Sequence, residues 1–318
     1  MRVVYYLGLR LAIAALTLVG VSILVFAGLR LLPGGFEQMV LGPDASVEAR
    51  AELVAKFGLD RSGPAQYVKW LGTAATGDLG VSMATGKPVA DEMLRRAPAT
   101  IQVALIATGT ALVVGLPLGL LAGLGIGRWR SIGRIVGALG ASVPEVVLGS
   151  VLVYIFSRWS LGATVGGYVP FTDDPGVSLR ATLLPGMSLG IFGIALLVRT
   201  TRDSVQRVLT EGHVLTAISQ GRSRWQIVRH HVLRNASIPV LTVTATYIGY
   251  LLGGALIAEI LFSVPGIGLY VYSALGNRDY AVVQAGVLLA AAVFIAVNTL
   301  ADLGYAVLDP RIDARRHG

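Results

Sequence analysis

Residues 9–32 read LRLAIAALTLVGVSILVFAGLRLL, a run of apolar side chains interrupted only by Arg10, Thr17, Ser22 and Arg30. A helix rises 1.5 Å per residue, so a hydrocarbon layer about 30 Å thick takes roughly 20 such residues to cross. The run is too long for the core of a secretory signal, which holds about 7 to 15 apolar residues, and reads as a membrane span. Composition extends that reading to the whole chain: 54% of the 318 residues are hydrophobic, 14% are charged and the mean hydropathy is +0.70. Ordinary soluble domains carry roughly 25% charged residues, and this chain lacks the charge to clothe a soluble surface. Glycine, at 40 residues, suits close packing of helices in lipid.

Five further runs follow, at about 100–124, 135–156, 181–198, 238–262 and 282–307, the fourth shortened by Pro185. The expected fold is therefore an all-α integral membrane protein with six transmembrane helices. An even number places both termini on one side, and the distribution of arginine selects that side. Arg2 and Arg10 flank the first run, and Arg128, Arg130 and Arg134 fill the short connection after the second. Arg199, Arg202, Arg207, Arg222, Arg224, Arg229 and Arg234 crowd the connection after the fourth, and Arg311, Arg315 and Arg316 close the chain. Both termini and these connections are expected to be cytoplasmic. The net charge of +8 thus belongs to the membrane surface and not to a nucleic-acid partner. With no cysteine there is no disulfide, no thiolate metal site and no thiol nucleophile.

The expected organisation is a first span at 1–32, a small outer domain at 33–98, a five-helix core at 99–310 and a cytoplasmic tail at 311–318. The outer segment has Gly/Pro punctuation at Pro33-Gly34-Gly35, Gly42-Pro43 and Gly63-Pro64, and a short amphipathic helix over 46–57 with Ser46 as its N-cap. Small residues four apart, Gly115/Gly119, Gly119/Gly123, Gly133/Gly137 and Gly249/Gly253, suit helix packing within the subunit.

Within the connection at 199–235 lies Glu211-Gly212-His213-Val214-Leu215-Thr216-Ala217-Ile218-Ser219-Gln220-Gly221, followed by Arg222. Val214, Leu215 and Ile218 share one helical face by spacing. A short helix with an apolar face outside the membrane docks either in a groove of a soluble partner or on lipid headgroups, and spacing leaves both open. Gly221 lets the chain turn sharply with positive φ.

This connection resembles the cytoplasmic loop of permeases of binding-protein-dependent ABC importers: a short helix, the pair Thr216-Ala217, the glycine at 221, then an apolar run ending at Pro239. Other stretches make the chain similar to the first permease subunit of the dipeptide and oligopeptide type. These are Arg30-Leu31-Leu32-Pro33-Gly34, Gly58-Leu59-Asp60, Gln66-Tyr67, Trp70-Leu71, Gly77-Asp78-Leu79-Gly80 with Ser82, and Pro98-Ala99-Thr100. Further on come Pro117-Leu118-Gly119, Glu259 with Phe262, Pro265-Gly266, Asn277-Arg278-Asp279-Tyr280 and Asp309-Pro310-Arg311. The chain departs from that pattern at Gly35, Gly212, Leu215 and Gln220.

The resemblance implies a type I ABC importer permease in the cell membrane, moving peptides inward by alternating access. It also implies partners: a second homologous permease subunit, two ABC ATPase subunits carrying ATP and Mg, and an extracytoplasmic substrate-binding protein. Residues 211–218 with Gly221 and Arg222 would be the ATPase-coupling helix. An importer for nickel or another small solute is the alternative within the class, and an ion-coupled secondary transporter the alternative outside it.

Glu145, Glu259 and Asp302 fall within or beside apolar runs. A charge at mid-membrane costs about 2.5–3.5 kcal/mol on insertion scales, so such residues face a partner or a wet cavity. Glu145 follows Pro144, where a helix opens its carbonyls. Glu145, Gly253 and Glu259 are the candidate lining of a substrate pathway, against a structural reading in which the two acids sit near interfaces or pair with arginine. Gly86-Lys87 is followed by Pro88 and lacks the spacing of a phosphate-binding loop. The chain is expected to be no enzyme, to bind no cofactor of its own and to rely on a separate ATPase. His213, His230, His231 and His317 form no metal-ligand pattern.

All the lysines of the chain, Lys56, Lys69 and Lys87, fall in the segment expected outside. A membrane-impermeant amine reagent is therefore expected to modify this chain on intact cells unless the outer envelope bars it. Modification only after the membrane is opened would invert the topology.

Overall fold

The computed structural model describes residues 2–31, 41, 46–159 and 166–308. The turns expected at Pro33-Gly34-Gly35 and Gly42-Pro43, the Asp309-Pro310-Arg311 stretch and the tail at 311–318 lie outside the described residues. What is described is helical. Four helices are long and apolar enough to cross a membrane, and two bent helix pairs bring the number to as many as six.

Two compact units divide the chain: residues 1–100 with 265–295, and residues 101–264 with 296–318. In the first unit, α1 (Arg2–Leu31) meets a short helix, α3 (Gly63–Ala75), that has proline in its first turn. Phe26 of α1 meets the Tyr67 ring edge-on at 5.2 Å, and Arg30 lies 3.4 Å above Phe26 while hydrogen-bonding Gln66. Ahead of α3, α2 (Val47–Phe57) begins where Ser46 Oγ accepts from Ala49 N at 3.2 Å and ends at Gly58, whose φ is +65°. This is the capped helix expected over 46–57.

Also in this unit, Asp279 precedes α12 (Tyr280–Leu308). It is almost wholly buried, and its carboxylate accepts from Ser82 Oγ at 2.6 Å, Met83 N at 3.1 Å and Ala84 N at 3.2 Å. A buried carboxylate is tolerable only when its lone pairs are filled; here the loop at 82–84 fills them. The Ser82 and Asp279 stretches, nearly two hundred residues apart in sequence, are thus one clasp. Beside it, Val89 and Met93 pack with Tyr270 and Ala274 of α11 (Ile267–Gly276) and with Val282 and Val283.

The second unit is built around α7 (Pro175–Leu209), a 35-residue helix and the most enclosed of the candidate spans. Asp174 caps it, accepting from Gly176 N and Val177 N. Pro185 does not shorten this span as its sequence suggests; the helix runs through it. An interior proline costs about 3 kcal/mol, and the helix is held through it by close packing on both sides, with Ala181, Leu184, Leu189, Ala195 and Leu197 all buried.

Glycine sets the packing distance. On α4 (Val89–Gly123), a Cβ added at Gly115, Gly119 or Gly123 would lie 3.0, 2.7 and 2.7 Å from the Cβ atoms of Leu197, Thr201 and Val205. Both series advance by four, so the two helices run parallel with backbones nearly touching. From the other side, α5 (Trp129–Ser142) brings Gly137 against Arg199 and Gly140 against Ala195 in antiparallel register. The pairs Gly115/Gly119, Gly119/Gly123 and Gly133/Gly137 therefore pack within the subunit. Within α4 a wide turn at Ala111–Gly115 precedes Pro117, whose ring would otherwise meet the carbonyl of Val113 four residues back.

The third apolar run is broken. α5 ends at Ser142, Val143 adopts φ −94°, ψ 122°, and α6 (Glu145–Trp159) departs at 101°. A residue before proline is driven to extended backbone, so Pro144 makes the break. α10 (Leu233–Phe262) bends by 45° between Leu251 and Ala255, the interval that contains Gly253.

Gly119→Ala forces a Cβ to within 3.0 Å of the Val198 carbonyl and is expected to cost about 1–3 kcal/mol, read as a lower thermal midpoint in detergent. Gly109→Ala, at a helical position with no atom within 4 Å of the added Cβ, is expected to leave the midpoint unchanged or raised.

Candidate functional site: the loop helix between the fourth and fifth spans

After α7 the chain makes a short helix, α8 (Gly212–Ser219), whose N-cap is Glu211. Gly212 is its first residue, just after the break that follows Leu209. The Glu211 carbonyl accepts from Val214 N at 3.0 Å and Leu215 N at 3.1 Å, closing the first turn. At the far end Gly221 has φ +73°, its N–H reaches the Ile218 carbonyl at 2.9 Å, and Arg222 N reaches Ala217 O at 3.2 Å. This left-handed stop is the one expected of Gly221. Ser223 and Gln226 then form a reciprocal capping box that starts α9 (Arg224–Ile227).

Val214, Leu215 and Ile218 lie side by side on the helix but are not buried alike. Val214 and Ala217 are buried against Val205 and Val208 of α7, Ile227 and Val232, with Leu120 and Leu124 alongside. Leu215 and Ile218 are 52% and 51% exposed, and Trp225 beyond the turn is 67% exposed. The reason is three-dimensional: α7 and α9 occupy the side that takes Val214 and Ala217, leaving Leu215 and Ile218 outward. The helix is packed on one side and exposes apolar side chains on the other.

The seat has a polar latch. Asn235 Nδ2 donates to the His231 carbonyl at 2.9 Å and lies 3.3 Å from His213 Nε2. With Nε2 accepting, the ring proton sits on Nδ1, which faces Glu211 Oε2 at 3.2 Å. The His213 and His231 rings are 5.4 Å apart. Asn235, His231 and Trp225 were not legible as members of this site, since none shares a helical turn with residues 211–222. Thr216 and Ser219 spend their hydroxyls on the carbonyls of Gly212 and Leu215, and Arg222 is exposed on the turn.

The pathway candidates lie elsewhere in the same unit. Glu145 opens α6 directly after the break at Pro144 and is half-buried. Glu259, in the last turn of α10, is fully buried. Gly253 lies within α10 at its bend. Among the described residues no group of three metal-ligating side chains converges.

Residues 115–314 match the family described as binding-protein-dependent transport system inner membrane component. The chain is 37% identical over 329 residues to the dipeptide transport system permease protein DppB of Escherichia coli K12, with 95% of this chain and 97% of that protein covered. It is 34% identical over 306 residues to the probable peptide ABC transporter permease protein y4tP of Sinorhizobium fredii, at 94% and 96% coverage. A solved structure of the methionine ABC transporter MetNI in an inward-facing conformation shares the fold at a TM-score of 0.53 and 15% identity, covering 68% of this chain and 96% of that one. The chain belongs to the family of inner-membrane components of binding-protein-dependent transport systems. It is accordingly a multi-pass membrane permease of the ABC importer type.

Val214→Asp places an unpaired charge in the buried seat and is expected to free the loop, read as faster tryptic cleavage at Arg222 and Arg224. Leu215→Asp, at the exposed neighbour, is expected to leave the cleavage rate unchanged.

Proposed function

We propose that this chain is a transmembrane permease subunit that imports peptides by alternating access, with both termini and the α8 loop on the cytoplasmic side. The observation that carries the reading is the division of α8: one apolar face held by the spans, the other exposed as Leu215 and Ile218. A helix so built can transmit a push. It seats in a groove of an ABC ATPase subunit, reading as an anchor of the helix-in-groove kind, and the buried Val214 face carries the motion into α7. Residues Glu211, Gly212, His213, Thr216, Gly221 and Arg222 frame that contact.

The remaining partners follow from the family: a second permease of like fold, two ATPases holding ATP and Mg, and an outer substrate-binding protein. The names of the relatives, which are dipeptide and peptide permeases, support peptides as the cargo. Glu145, Gly253 and Glu259 are proposed to border the pathway.

Gly221 holds a positive φ that a branched or long side chain adopts only under strain. Gly221→Arg is expected to abolish peptide uptake while leaving the chain in the membrane, read by uptake assay beside immunoblotting of the membrane fraction. The reading as a whole is tested by uptake of a labelled dipeptide and a labelled longer peptide in cells lacking the gene and in cells with it restored. Loss and recovery of either is the expected result; unchanged uptake of both would move the cargo to nickel or another small solute.

A further inference from the structure

Three candidate spans of the second unit share an apolar groove. Val114 and Leu118 of α4, Ile135 and Leu139 of α5, and Ile191 and Ile194 of α7 line it, and its volume is about 380 Å³. Every residue of the lining is apolar or glycine. Ile135 and Leu139 are 56% and 60% exposed, so the groove is open along α5. There the lining runs from Ile135 to Val143, about 12 Å at the rise of a helix. Val143 at the break and Leu148 of α6 also belong to it, so the 101° turn stands at that end.

Size and chemistry narrow the occupant. A peptide would leave its backbone amides without partners against such walls. A helix with its side chains is about 10–12 Å across, whereas 380 Å³ spread over about 12 Å leaves a cross-section of about 30 Å². That is the girth of a hydrocarbon chain.

The other end is cationic. Arg128 is exposed at the start of α5, with helical φ −63° and ψ −22°. It stands two turns before Ile135, and Trp129 two turns before Val136, which also lines the groove; both therefore share the groove's side of the helix. The Arg128 guanidinium lies 5.7 Å from the centre of the Trp129 ring. Among the described residues no carboxylate makes an ion pair with Arg128. Tryptophan beside arginine at the end of a span is an anchor at the membrane surface, and a basic side chain there attracts anionic headgroups.

We propose that this groove binds one anionic glycerophospholipid, with an acyl chain along Ile135–Val143 and the phosphate at Arg128. The acyl chain gains no hydrophobic energy over its place in the bilayer. It is held by contact, because an empty groove leaves its walls without partner atoms, and the charge at Arg128 selects the headgroup. The lipid fills the seam where α4, α5 and α7 meet, whatever the cargo.

The test is photolabelling of the whole transporter in its membrane. Phosphatidylglycerol or phosphatidylcholine with a diazirine midway along one acyl chain is added, and adducts are located by tandem mass spectrometry within the tryptic fragment 135–158. Phosphatidylglycerol is expected to label residues 135–148 about fivefold more than phosphatidylcholine, the effect of one headgroup charge. Arg128→Gln is expected to bring the two lipids level, and Leu139→Trp, which fills the groove, to remove most of the label. Equal labelling by both lipids in the unaltered chain would mark bulk lipid and overturn the site, as would a label undiminished in Leu139→Trp. No adduct at all would mean that a partner subunit covers the groove, and would overturn it too.

Arg128 is exposed, so its variant folds independently of the groove and supports a second measurement. Phosphatidylglycerol is expected to raise the thermal midpoint of the unaltered chain in detergent more than phosphatidylcholine does, and Arg128→Gln to abolish the difference. A difference that survives in Arg128→Gln would overturn the placing of the headgroup.

Discussion

The backbone of α7 lies against the backbones of α4 and α5, and the rest of the second unit depends on that closeness. In lipid there is no hydrophobic gain in pressing one apolar helix on another, so the attraction comes from dispersion between well-fitted surfaces. Gly115, Gly119 and Gly123 remove the side chains that would hold the helices apart, and the Cβ atoms of Leu197, Thr201 and Val205 fill the space. The register is fixed because each glycine admits one residue of its partner. Pro185 stays inside α7 for the same reason: the contacts on either side of it outweigh the hydrogen bond it gives up.

That rigidity reaches the loop helix. Val205 and Val208 belong to the same long helix as Leu197 and Thr201, and they are the floor on which Val214 and Ala217 rest. The His213–Asn235 contact ties the loop to the start of α10 as well. Through these contacts the short helix bears on two spans, α7 on one side and α10 on the other.

The broken spans depart from that regular packing. Pro144 divides one and the interval around Gly253 bends another. Irregular backbone between membrane helices is sustainable where protein or a water-filled passage satisfies it. The α4–α5–α7 core is tightly packed and the helices beside it are bent.

Apolar run length and arginine placement revealed the membrane class and the approximate spans, because twenty consecutive apolar residues have few other uses. Ser46 and Gly221 were legible in the same way, since capping and left-handed turns depend on the nearest few residues. The ordered motifs identified the family for a different reason: they record a whole chain's pattern at once. Other features were decided only by the tertiary structure. Spacing alone grouped Val214 with Leu215 and Ile218, but which apolar side chain is buried depends on which neighbour is present, and α7 and α9 chose Val214 and Ala217. Proline looked like a terminator at 185 and acted as one only at 144, because packing compensated the first and not the second. Ser82 with Asp279, and Tyr247 with the Leu189 carbonyl, are pairings across long stretches of chain. No local pattern announces such a pair, since hydropathy and periodicity describe a residue's neighbours in sequence, whereas a hydrogen bond is made by its neighbours in space.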